Sequence, residues 1–121
     1  MRLLAGVSYG RIVFTEAALP AIRPVNHLID DGQIVIRAQL STNSAGVVVA
    51  YEADELDPGE HTGWSVVVTG IARTITDPAR LSRYRDALPS WVDGETDTLL
   101  TIEPSIVTGT QIPVNNRPAA R

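Results

Sequence analysis

Asp30-Asp31-Gly32 stands between two runs of extended character, Ala21–Ile29 (AIRPVNHLI) and Gln33–Ala38 (QIVIRA). Asp-Gly accepts the positive φ that a two-residue hairpin demands at its central positions, so the two runs fold back on each other. The run before them, Gly10–Thr15 (GRIVFT), is apolar and β-branched, and Ala18-Leu19-Pro20 breaks the chain after it. Together the three segments read as an antiparallel meander. Pro24 lies inside the second run. It has no N–H to give a ladder, which predicts a strand edge or a bulge at that point. A strand interrupted there can turn the backbone and side chains that follow toward a ligand.

The rest of the chain continues in β. Gly46–Ala53 (GVVVAYEA) is unbroken and apolar, which predicts a strand buried on both faces. Asp54–Thr62 is polar and carries Pro58-Gly59, a turn signal. Gly63–Ile75 (GWSVVVTGIARTI) is the longest strand pattern, and Gly70 inside it marks a bulge or sharp bend. One helix is signalled: Asp77 fits the N-cap, Pro78 the first helical position, and Leu81, Tyr84 and Leu88 share one face before Pro89 ends it. Thr98–Ile102 and Ile106–Ile112 read as two closing strands. Residues 1–112 then form a single domain and 113–121 an irregular tail. Seven or so short strands with one late helix predict a small β-barrel, in which closure removes exposed edges.

Composition narrows the chemistry. At 121 residues and 44% hydrophobic, the chain can build one core. It has no Cys, which excludes a disulfide framework, a thiol nucleophile and a thiolate zinc site. Its formal charge of −4 argues against a nucleic-acid partner. All 10 basic residues are Arg. An anion site must therefore use Arg, hydroxyls and backbone N–H groups, and no Schiff-base lysine exists. No run approaches the roughly 18–20 apolar residues of a membrane span. The first residues lack a signal-peptide pattern, so the cytoplasm is expected. His27 and His61 have no metal-ligand spacing. Neither a nucleophile elbow, a P-loop nor a dinucleotide-binding Gly-x-Gly-x-x-Gly is present.

Six blocks occur in a characteristic order: Gly10-Arg11-Ile12-Val13-Phe14; Pro20 with Arg23-Pro24-Val25-Asn26-His27; Asp31-Gly32 with Ile36-Arg37; Val49-Ala50-Tyr51-Glu52-Ala53-Asp54; Gly63-Trp64-Ser65-Val66-Val67-Val68-Thr69-Gly70; and Ile102-Glu103-Pro104 with Val107-Thr108-Gly109. In this order the chain resembles the FMN-binding split-barrel family, the pyridoxamine 5′-phosphate oxidase-like proteins, and within it the flavin-nucleotide-binding or nitroimidazole-resistance-like subgroup. The resemblance implies a mainly β fold, a six-stranded antiparallel split β-barrel with one or two peripheral helices. It also implies a homodimer with two flavin sites at its interface. FMN phosphate is expected on Arg and hydroxyls near the end of the third strand, and the flavin ring against the second strand and the partner subunit.

Carried onto this chain, the phosphate set is Arg37, Ser41 and Thr42, because a guanidinium fork matches phosphate oxygens and hydroxyls complete the shell. Pro24, Val25 and Asn26 are expected along the ring, where Asn26 offers both amide functions. Trp64 and Ser65 open the longest strand, and an indole can cover one face of a ring. His27 reads as a barrel-wall histidine with a proton-donor role as the alternative. His61 reads as exposed, Trp91 as a packing residue, and Glu52, Asp54, Glu55 and Asp57 as a solvated strand end and loop. The connector from Ala38 to Ser44 departs from the family pattern. It is about ten residues short of the helix that usually stands there, judged against the minimum helical crossover, which weakens the phosphate site if no helix exists.

The function expected is an FMN-dependent oxidoreductase passing electrons from a nicotinamide donor to a small-molecule substrate, a nitro compound or a quinone. Pyridoxamine phosphate oxidation itself is not expected, since its substrate-phosphate arginines are not evident. The alternatives are a non-catalytic or stress-related flavin-binding dimer, a reductase using a deazaflavin coenzyme on the same fold, and a structural dimer without a cofactor. Neither a nucleic acid nor a membrane is expected as a partner.

Overall fold

Six strands and two helices follow one another in the computed structural model, whose described residues are 2–38, 46–88 and 98–112. The order is α1 (Arg2–Ala5), β1 (Tyr9–Glu16), β2 (Leu19–Asp30), β3 (Gln33–Ala38), β4 (Val47–Asp57), β5 (Thr62–Thr74), α2 (Pro78–Ala87) and β6 (Thr98–Ile112). The strands close into an antiparallel barrel ordered β1-β2-β3-β6-β5-β4. This is the mainly β, six-stranded barrel with peripheral helices that the resemblance implies, where the residue pattern by itself suggests seven or so strands and one helix.

The β1–β2–β3 meander forms as expected. Asp31 and Gly32 take φ of 54° and 74°, the left-handed pair of a tight hairpin. The β1–β2 turn is different from the expected break. Its centre is Ala17-Ala18, with φ of 52° and 66°, and Leu19 and Pro20 already belong to β2. Nothing in an Ala-Ala pair signals such a turn. Pro24 pairs with Arg11 of β1, and β3 begins to pair with β2 only at His27. The missing N–H therefore costs no ladder bond.

Three expectations are corrected. β4 is not buried on both faces: Val49, Tyr51 and Ala53 point inward, while Val48 is 66% exposed on the outer side. Only the inner face has a core to meet. β4 also runs on to Asp57, so its polar end is strand rather than loop. The two closing strands are a single 15-residue strand, β6, that passes through Pro104. Its register shifts opposite Thr69/Gly70, the bulge that Gly70 marked. A Cβ on Gly70 would stand 2.0 Å from the Glu103 carbonyl oxygen, so only glycine lets the strands approach there.

Alternation divides the side chains into two cores. Ile12, Phe14, Val25, Ile34, Ile36, Tyr51, Val68, Leu100 and Ile102 fill the barrel, joined by Leu4 from α1. Outside it, Val35, Ile75 and Leu99 pack under Tyr84 and Leu88, which seats α2 by the face its periodicity marked. Pro78 opens that helix, whereas the Asp77 side chain makes no capping bond. Tyr84 donates its hydroxyl proton to the Asp30 carboxylate, and Arg83 donates to the same group at 3.2 Å. Helix and hairpin are thereby tied. Among the described residues, no helix is long and apolar enough to cross a membrane.

Candidate functional site

Residues that alternate away from the core line up across the outer surface. Pro24, Arg11, Glu52, Val67 and Thr108 form one registered row over β2, β1, β4, β5 and β6. Two residues along the strands, Asn26 pairs with Tyr9, and Ser65 stands between Asp54 and Thr110. The middle of this face is charged. Arg11 donates to Glu52 Oε1 at 2.8 Å and to Asp54 Oδ2 at 3.4 Å. The bond to Glu52 holds the Arg11 guanidinium above its ordinary value. Partial burial, then the hydrogen bond with Asp54, pushes the Glu52 carboxyl up, and Arg11 opposes this. Glu52 and Asp54 are thus paired on the barrel wall rather than solvated at a strand end.

The residues expected to hold a ligand fall in two places. Arg37 lies on β3, one step beyond the His27–Ile36 pair, where the next residue of β2 is Asn26. Both alternate outward, opposite to buried Ile36 and His27. Guanidinium and amide therefore occupy adjacent strands on the same face, with exposed Pro24 two residues along. Arg37 also donates from Nη1 to the Leu88 carbonyl oxygen at 3.0 Å. Val25 points the other way. Its side chain is buried in the barrel, and its carbonyl lies 3.5 Å from the Tyr51 hydroxyl. Only the Val25 backbone can face a ligand on the outside. Ser41, Thr42 and Trp91 lie outside the described residues.

Trp64 and Ser65 form the second place. Trp64 packs inward against the core and Ser65 points outward. With Leu3, Gly109, Thr110 and Gln111 they line a cavity of about 450 Å³ at the end of the barrel where α1 lies. Beyond Ile102, β6 has β5 as its described partner, because β3 pairs only with Thr98–Ile102. Leu3 of α1 lines the cavity beside that edge. His61 is exposed in the β4–β5 turn, as expected. His27 is a buried barrel-wall residue.

Sequence reasoning missed Tyr9, Arg11, Leu3 and Gln111. For Tyr9 and Arg11, alternation against Gly10 and Ile12 was the available signal, since it assigns them to the outer face. Which residues stand opposite them depends on cross-strand register, which short apolar runs leave open.

The model of the pyridoxamine 5′-phosphate oxidase family matches residues 1–112, and the chain belongs to that family. It is 55% identical to the uncharacterized protein Rv0080 of Mycobacterium tuberculosis, over 97% of this chain and 83% of that protein. Among solved structures, it is similar to the FAD binding protein from Mycobacterium smegmatis. The identity is 31%, with 93% of this chain and 92% of the other covered and a TM-score of 0.71. A FAD-binding protein from Mesorhizobium loti has the same fold at 19% identity, covering 93% of this chain and 91% of its own, with a TM-score of 0.72.

Proposed function

We propose that the chain binds FMN on the outward face of β2 and β3 and uses it as the cofactor of an oxidoreductase. One observation carries the reading: Asn26 and Arg37 occupy adjacent strands on one outer face. A flavin nucleotide needs a cation for its phosphate, donors and acceptors for its ring edge, and apolar surface for its ring faces. Arg37 supplies the first, Asn26 and the backbone beside Pro24 the second, and the outer row of Ile22 and Val13 the third. The donor set fits. The flavin binding named for the similar Mycobacterium smegmatis protein supports the same ligand class.

When bound, flavin supplies two-electron chemistry between a nicotinamide donor and a small acceptor. The protein's part is to bind, orient and shield. Arg37 would anchor the phosphate, and its bond to Leu88 fixes the guanidinium in place. Asn26 would set the ring's orientation. The outer row Ile22–Val13–Ala50–Thr69–Ile106 would exclude water once covered, and Ile22 and Ile106 are each 59% exposed. A second copy of the chain is the proposed cover, giving a homodimer. Sedimentation at working concentration tests that part, and a monomer contradicts it.

Turnover tests the activity. Protein loaded with FMN should oxidise a nicotinamide cofactor in the presence of a quinone or nitro acceptor. Retention of flavin without turnover would leave a carrier in place of an enzyme. Retention of a deazaflavin instead of FMN would change the cofactor on the same site.

A further inference from the structure

Three side chains stand in one registered row at the end of the barrel where α1 lies: Glu55 on β4, Trp64 on β5 and Gln111 on β6. The row behind them is Ala53, Val66 and Gly109, and by alternation both rows lie on the inner side of their strands. Trp64 is partly buried against the core, whereas Glu55 and Gln111 are exposed. Side chains directly opposed on neighbouring antiparallel strands have Cβ atoms about 5 Å apart. A carboxylate, an indole and an amide therefore share one small opening.

The opening has depth. Trp64 and Gln111 line the cavity of about 450 Å³ that Leu3 and Gly109 also border. Glu55 lines a neighbouring recess of about 420 Å³ along residues 5–9. Gly109 does not take a left-handed φ. A Cβ there would meet its nearest atoms at 3.7 and 3.9 Å, which is ordinary van der Waals contact. The fold thus does not require glycine at this position, although glycine weakens a strand. What the absent side chain provides is room beside Trp64, and close approach of a ligand is one of the reasons a strand carries glycine.

Electrostatics select the sign of what can enter. Among the described residues, no basic side chain lines either recess. Arg11, on the strand beside β4, is engaged by Glu52 and Asp54 on the outer face. Among the described residues, none pairs with the Glu55 carboxylate and none accepts from the Trp64 indole N–H. The chain's formal charge of −4 draws cations toward it. An indole attracts a cation over its ring face, the more so where water is partly excluded. A metal ion is not served, because no three metal-ligating side chains gather among the described residues.

We propose that the Glu55–Trp64–Gln111 row is a binding site for a small organic cation, a quaternary or protonated amine. The cationic head lies against the Trp64 indole with Glu55 beside it as counter-charge. Gln111, with the hydroxyls of Ser65 and Thr110 in the same cavity, serves a hydroxyl or carbonyl carried by the same molecule. The cavity has the size of the smaller pockets that take small molecules. The site is built on β4, β5 and β6 and does not rest on the flavin reading.

The probe is choline, titrated into the wild-type protein at constant ionic strength while the indole N–H resonances are followed by NMR. Trp91→Phe assigns them. The Trp64 resonance should shift saturably with a Kd of about 1 mM or tighter. The uncharged isostere, in which a tert-butyl group replaces the trimethylammonium head, should bind about tenfold more weakly or not at all. Glu55→Gln should weaken choline about tenfold and leave the isostere unaffected. Gly109→Val fills the cavity, so it should abolish choline binding while thermal stability is kept or raised, since valine suits a strand better than glycine. Absence of a saturable shift overturns the proposal, as does equal affinity for choline and its isostere, or choline binding unchanged in either variant. Should Gly109→Val fail to fold, Glu55→Gln decides alone, because that side chain is exposed and its loss leaves the core intact.

Discussion

Arg37 of β3 donates to the carbonyl oxygen of Leu88 at the end of α2, across 3.0 Å. An orphan carbonyl of the helix terminus is satisfied by a strand residue that also faces Asn26. Arg37→Ala should therefore have two effects. Loss of the bond lowers unfolding free energy by about 1 kcal/mol in urea. Loss of the cation weakens FMN binding about tenfold or more, as a charged phosphate contact requires. Flavin affinity unchanged beside a measurable stability loss would leave Arg37 purely structural.

The two tight hairpins differ in chemistry and not in shape. Ala17 and Ala18 hold left-handed φ without glycine or asparagine, while Asp31-Gly32 holds it with the preferred pair. Replacing the first pair by Ala17→Asn with Ala18→Gly should raise stability by roughly 0.5–1 kcal/mol, by relief of strain. Gly32→Ala should lower it by about 1 kcal/mol, although the space around that position is open. Thermal or urea unfolding of both variants checks the contrast.

Gly70→Ala is a harsher change. The added Cβ meets the Glu103 carbonyl oxygen at 2.0 Å, and backbone on both strands must shift. The expected loss is about 3 kcal/mol or more, with the β5–β6 bulge region losing hydrogen-exchange protection first.

Much of this architecture is legible in the sequence because turn chemistry is local. Asp31-Gly32, Gly70 and Asp77-Pro78 each mark a boundary or bend that the structure contains. The Leu81, Tyr84 and Leu88 face of α2 was legible for the same reason, since helical periodicity needs only neighbours in sequence. What the chain hides is whatever depends on partners distant in sequence. Val48 belongs to an apolar run yet faces outward, because a buried strand and a half-exposed one share that pattern. Ala17-Ala18 carries no turn residue at all. The Arg11–Glu52–Asp54 cluster joins strands some forty residues apart, as the 41-residue separation of Arg11 and Glu52 shows. Arg37 and Asn26 are candidates through the family resemblance and their chemistry, but their adjacency follows from the β2–β3 register.

The charged cluster has a pH signature. Glu52 titrates above its ordinary 4.5 in the folded protein, first through burial and then through Asp54. A carboxyl raised on folding stabilises the native state below its unfolded pKa, and that contribution is lost as pH rises through the folded value. Glu52→Gln removes it. The difference in unfolding free energy between wild type and Glu52→Gln should therefore move against the wild type as pH rises from 4.5 toward neutrality. A difference independent of pH would show that Arg11 cancels the burial of Glu52 completely.

Flavin binding is tested most directly by the absorbance spectrum of the purified protein, taken before and after addition of FMN with gel filtration to remove the excess. The expected result is the two-band flavin spectrum at about one FMN per chain, as binding tight enough to survive filtration requires. A colourless protein that retains neither FMN nor FAD after that treatment would contradict a flavin site on β2 and β3.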